Sequence, residues 1–90
     1  MSATSYRRRP DVPWRRSVDA VLCLPPGAPE PVTLAGSGPE VWDLLQTPNS
    51  LDELVAELSD RHPGDPEVVA ADVRSVLERL AALGVIEPVL

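Results

Sequence analysis

The sequence predicts an α+β domain in which three short β-strands precede three α-helices. Three observations carry that expectation: strand-like pieces confined to residues 12–34, helical apolar spacing confined to residues 41–83, and turn chemistry between successive pieces. Ahead of them, residues 1–11 show no periodicity and are expected to form a disordered Arg-rich tail, which leaves residues 12–90 as one domain. The strand-like pieces run from Val12 to Ser17, from Ala20 to Leu24 and from Pro31 to Leu34. Pro25-Pro26-Gly27 is the strongest turn signal between them. Alternation places Val21 and Cys23 on one face of the second piece and Ala20, Leu22 and Leu24 on the other; in the third, Val32 and Leu34 share a face opposite Thr33. Strands this short do not fold alone and must lie against the helices.

Each helix has a legible start. Ser37-x-x-Glu40 and Ser50-x-x-Glu53 both fit the capping box, in which each side chain satisfies an orphan backbone donor, although Gly38-Pro39 allows the first boundary to shift by a residue. Asp65 precedes Pro66, whose missing N–H suits a first helical position, and Glu67 adds a favourable charge to that turn. The first helix presents Val41, Trp42, Leu44 and Leu45, and the second Leu51, Leu54, Val55 and Leu58 at i, i+3, i+4 and i+7. The third is longer, with Val69, Val73, Val76, Leu77, Leu80 and Leu83, and Gly84 fits a left-handed cap. Val85 and Ile86 are expected to fold back onto the core, with Pro88 limiting further pairing. Three short strands and three helices, the last two joined by a tight turn from Asp60 to Pro66, make the composition of a winged helix-turn-helix.

Ninety residues hold one compact core, with little apolar surface to spare for a deep catalytic cleft. The net charge of −6 conceals an asymmetry: residues 1–16 carry five Arg against one Asp, and residues 17–90 three Arg against thirteen carboxylates. A body this acidic opposes phosphate neutralisation, so nucleic acid is not an expected partner. Arg15-Arg16-Ser17 hints at an export signal, but only Ala20 to Leu24 is continuously apolar, short of a signal core, and no segment is long enough to span a membrane. One cysteine allows no internal disulfide, and a soluble cytoplasmic protein is expected.

At Leu34-Ala35-Gly36-Ser37-Gly38-Pro39-Glu40-Val41-Trp42-Asp43-Leu44-Leu45 the chain resembles the PqqD-like family, in which a Leu and a small turn precede an Ile/Val-Trp-x-Leu-Leu helix. The family's Thr/Ser-Leu-x-Glu-Leu segment reads here as Ser50-Leu51-Asp52-Glu53-Leu54. Its third helix is matched by Asp65-Pro66-Glu67, Ala71-Asp72-Val73 and the run from Leu77 to Ile86. Ala35 departs from the Asn of many relatives.

The resemblance implies a stand-alone RiPP recognition element. Such a module binds the leader peptide of a ribosomally synthesised precursor by β-strand addition. It presents the leader to a modifying enzyme or leader peptidase, in pathways of the lasso-peptide or radical-SAM type. The candidate edge is Pro31, Val32, Thr33 and Leu34, since an unpaired strand edge offers N–H and C=O groups to any extended peptide. On the third helix, Val68, Asp72, Ser75 and Arg79 recur at i, i+4, i+7 and i+11 beside the core stripe. In that groove Asp72 and Arg79 orient the leader by charge, while Val68, Val76 and Leu34 hold its apolar anchors. The same spacing suits Asp72 and Arg79 as solvated surface residues, and both readings stand at this point.

No catalytic residue, cofactor or metal site is expected. His62 has no second His or Cys nearby, and Cys23 reads as a small buried hydrophobe. Asp52, Glu53, Glu57 and Asp60 read as a solvated acidic face. Two rival functions share features with the chain. An acyl or peptidyl carrier would use Ser50, in Asn49-Ser50-Leu51, as its attachment site, but carriers place a long helix before that serine. A DNA-binding winged helix would read DNA with residues 66–83, where Arg74 and Arg79 face Glu67, Asp72 and Glu78.

Overall fold

The structure, a computed structural model, describes residues 4–89. Three helices carry the core: α1 (Gly38–Leu44), α2 (Leu51–Arg61) and α3 (Pro66–Leu83). Six strands accompany them: β1 (Ser5–Arg8), β2 (Trp14–Arg16), β3 (Val21–Cys23), β4 (Val32–Leu34), β5 (Asn49–Ser50) and β6 (Ile86–Val89). They form two antiparallel sheets, ordered β2-β3-β4 and β5-β1-β6. The three pieces read from alternation are the strands of the first sheet.

The apolar stripes meet in one cluster. Val41, Trp42 and Leu45 of the α1 segment, Leu54 and Leu58 of α2, and Val73, Leu77 and Leu80 of α3 pack against Val21, Cys23 and Leu34 of the sheet. Cβ atoms alternate along a strand, so Val21 and Cys23 are buried while Leu22 is only half-buried on the other face.

Two helix starts follow the sequence pattern and one does not. The Ser50 amide donates to Glu53 Oε1 (2.9 Å) and the Glu53 amide donates to Ser50 Oγ (3.2 Å), a complete capping box. Asp65 accepts from the Glu67 amide at 2.9 Å, with Pro66 behind it. Ser37 makes no cap bond. Its backbone is already helical (φ −80°, ψ −8°), so its hydroxyl cannot fold over the helix end, and it donates instead to Asp72 Oδ2 at 2.6 Å. Glu40, its expected partner, reaches His62 Nε2 at 2.8 Å. Helix α3 ends as expected on Gly84 in the left-handed region (φ 76°), and the Val85 amide returns to Leu80 O.

The second sheet was not foreseen. The expectation that residues 1–11 lack structure fails over Ser5–Arg8, where β1 is the central strand; residues 1–3 of that tail lie outside the described residues. Alternation cannot mark a strand that owes its order to backbone pairing on both sides and to its arginines. Arg7 Nε donates to Glu87 Oε2 at 2.8 Å. Arg8 places its guanidinium carbon 4.9 Å from the Trp14 ring centroid and 5.3 Å from that of Trp42, and the two indoles meet edge to face at 5.9 Å. Desolvation lowers the Arg8 pKa, opposed by the nearby Asp43 carboxylate, which itself pairs with Arg16.

Nor does Pro88 stop pairing, since β6 runs in register through it, Tyr6 opposite Pro88. The Arg9 amide donates to Val85 O (3.0 Å), so the hydrogen-bonded positions of β6 facing β1 are the odd ones. The nitrogen of Pro88 therefore faces the outer edge, which it blunts without costing a ladder bond.

Candidate functional site

The first sheet ends at β4, whose far edge pairs with no strand among the described residues. Hydrogen-bond parity identifies what that edge offers. Leu24 N–H donates to Pro13 O and Ser17 N–H to Ala20 O, each at 2.9 Å. In the β2–β3 register this makes Arg15 and Leu22 a hydrogen-bonded pair, so Leu22 points its backbone groups at β2. Val21 and Cys23 then point theirs at β4, toward Leu34 and Val32. Thr33 is left as the residue of β4 whose N–H and C=O face away from β3. Pro31, two residues earlier, has no N–H, and Ala35 O is already taken by the Gly38 amide at 3.0 Å.

Helix α3 flanks this strand. The Ser37–Asp72 bond ties the helix to the chain just beyond Leu34. At the other end, Arg79 acts electrostatically on Cys23, the neighbour of Val32 across the ladder, and pulls the thiol pKa down against the larger upward push of burial. Asp72 and Arg79 stand two turns apart, about 10 Å along the axis, a span similar to the β4 segment beside them. One end of the flank is therefore acidic and the other basic.

The nine residues singled out from sequence fall in this region with unequal exposure. Leu34 is 2% exposed and belongs to the core, so its side chain has no surface for an anchor; it was expected to hold one. Val32 and Val76 are half-buried, and Val68 is 66% exposed. Pro31, Thr33, Asp72, Ser75 and Arg79 are exposed. Pro31 also lines a separate apolar recess of about 250 Å³ with Trp14 and Leu22.

Sequence reasoning missed residues that the fold brings to the Ser37 end of the flank. Ser37, Glu40, Leu58 and His62 join Val68, Val69, Asp72 and Val73 around a recess of about 400 Å³. The sequence pattern places Ser37 and Glu40 in a helix cap, and His62 in the turn from Asp60 to Pro66. Their convergence depends on how α2 and α3 cross, which no local pattern encodes.

Ser50 is 5% exposed and committed to both bonds of its capping box, which leaves no hydroxyl presented for attachment of a carrier arm. No described helix is long and apolar enough to cross a membrane.

Three helices with two small antiparallel sheets, one edge of which lies open beside the longest helix, define a small α+β domain with a strand-and-helix groove. Residues 21–86 match the family described as Coenzyme PQQ synthesis protein D (PqqD), and the chain belongs to that family. A similar fold occurs in the solved structure described as TbiB1 in Complex with the TbiA(beta) Leader Peptide. The TM-score is 0.77 at 23% sequence identity, covering 90% of this chain and 94% of that one. No curated protein matches the sequence.

Proposed function

We propose that this protein is a RiPP recognition element of winged helix-turn-helix architecture. It binds the leader peptide of a ribosomally synthesised precursor as an added strand on β4 and presents it to a modifying enzyme or leader peptidase of the same pathway. The observation that carries this reading is the outward-facing N–H and C=O of Thr33, set beside the Val68–Arg79 flank of α3. A leader strand would pair with Thr33, with alternate side chains turned toward Val32, Val76 and α3 and the others toward solvent. Asp72 and Arg79 would set its direction by charge, with Ser75 between them. The likeness to the leader-bound TbiB1 fold and membership of the PqqD family both support this reading. The protein acts by holding and orienting, and the chemistry belongs to its partner enzyme.

The acidic body argues against DNA. On α3 the exposed Arg74 and Arg79 are outnumbered by Glu67, Asp72 and Glu78, a poor balance for a major groove.

The test is direct binding. Short precursor-like peptides encoded beside this gene are labelled and titrated with the protein, with anisotropy as the readout. Saturable binding of a leader segment, competed by unlabelled leader and not by the excised core peptide, is the expected result. Binding that requires the core, or salt-sensitive binding to duplex DNA at micromolar protein, would overturn the reading.

A further inference from the structure

The recess at the Ser37 end of the groove has a mixed lining. Leu58, Val69 and Val73 form its walls and Val68 one exposed lip, while the carboxylates Glu40 and Asp72 stand at its rim. Among the described residues, Asp72 has no ion-pair partner and accepts from the Ser37 hydroxyl at 2.6 Å, while Glu40 is met by His62 at 2.8 Å and by a long ion pair to Arg61 at 3.9 Å. A wholly apolar occupant would strip water from both acids and return nothing to them. An occupant with an apolar stem and a cationic head would lay its stem on the valines and set its head between the acids.

The strand geometry leads into this recess. On an added strand, the residue beside Leu34 and the one two positions further share the face that looks toward α3. The second of these arrives at Gly36 and Ser37. Gly36 has no side chain to block the way, and even a Cβ built there would meet no atom within 4 Å.

We infer that this recess is a specificity pocket for a lysine or arginine side chain of the bound peptide, an inference that rests on the leader-binding reading above. It adds to that reading a sequence requirement: a basic residue on the α3-facing side of the leader, at the position that passes Gly36.

The test is selection of a randomised nonapeptide display library on the intact, immobilised protein. Enriched peptides are expected to share Lys or Arg at one fixed position, and replacing it by norleucine should weaken binding about tenfold, the loss of a charge-assisted bond. A Glu40→Gln, Asp72→Asn double variant, checked for an unchanged circular dichroism spectrum, should bind the lysine and norleucine peptides alike. Enrichment of an aromatic or aliphatic residue at that position, or a double variant that still prefers lysine, overturns the pocket and leaves strand addition standing. If no peptide enriches at all, strand addition itself fails and the pocket falls with it.

Discussion

Replacing Thr33 with proline separates what the β4 edge does for binding from what it does for folding. The Thr33 N–H points away from β3, so the substitution breaks no bond of the β3–β4 ladder. Val32 already lies in a strand, the conformation a residue before proline requires. An outward-facing edge position is where a sheet tolerates proline, and the change in folding stability should stay within about 1 kcal/mol. Binding loses far more. An added strand would lose its donor at Thr33, leaving a peptide carbonyl without a partner, at a cost of about 1–3 kcal/mol. That is a rise in Kd of about five- to 150-fold. The pyrrolidine ring pushes toward the upper end, because it stands where the incoming backbone must approach to about 4.8 Å. The assay is anisotropy of a labelled leader, with a thermal melt on the same sample. Thr33→Ala keeps the N–H and removes only an exposed side chain, so its Kd should change less than about threefold. A folded Thr33→Pro protein with unchanged affinity would refute the assignment of this edge.

Other substitutions probe what positions the groove. Gly38→Ala adds a Cβ only 3.1 Å from that of Leu34, a contact that flexible side-chain ends cannot relieve; a stability loss of about 1–3 kcal/mol is expected in denaturant titration, with weaker leader binding as β4 shifts. Arg8→Met removes the cation shared by Trp14 and Trp42 and should cost about 1–2 kcal/mol, with a change in tryptophan emission. Ser50→Ala removes the hydroxyl that accepts from the Glu53 amide, leaving only the backbone half of the α2 capping box, and should lower stability by about 1 kcal/mol, read as a drop in Tm. Burial raises the Cys23 thiol pKa above its ordinary value of 9.0, so the folded state favours the neutral thiol. That contribution is fully present below the unfolded pKa and is lost as pH rises through the folded one. Wild type should therefore lose more stability above about pH 9 than Cys23→Val does, and a thiol reagent should label Cys23 only on unfolding.

Legibility followed how local the cause was. Helices α2 and α3 were readable because their apolar spacing, caps and terminal glycine are local signals, and the strands β2, β3 and β4 because their turns and alternation are. Strand β1 was not, since Tyr6-Arg7-Arg8 has no apolar alternation and is ordered by Glu87, Trp14 and Trp42, all distant or outside its own segment. Ser37 shows the same limit within a correct motif. The capping pattern is present, but Asp72, 35 residues away, takes the hydroxyl. At the groove, periodicity identified the helix flank and alternation the strand. The direction of Thr33's backbone groups followed only from hydrogen bonds made two strands away.

The proline that precedes β4 and the turn that follows it have a kinetic consequence. With Pro31 lacking a donor and Ala35 O occupied, a chain added on this edge would find one full pair of main-chain bonds at Thr33, flanked only by a lone acceptor at Pro31 and a lone donor at Ala35. A grip with so short a backbone zipper has little sequence-independent strength, so most of the residence time of a guest must come from its side chains. Peptides without the right side chains would leave quickly. The right one would be held long enough to be read, and released without unzipping a long ladder when the next protein takes it over.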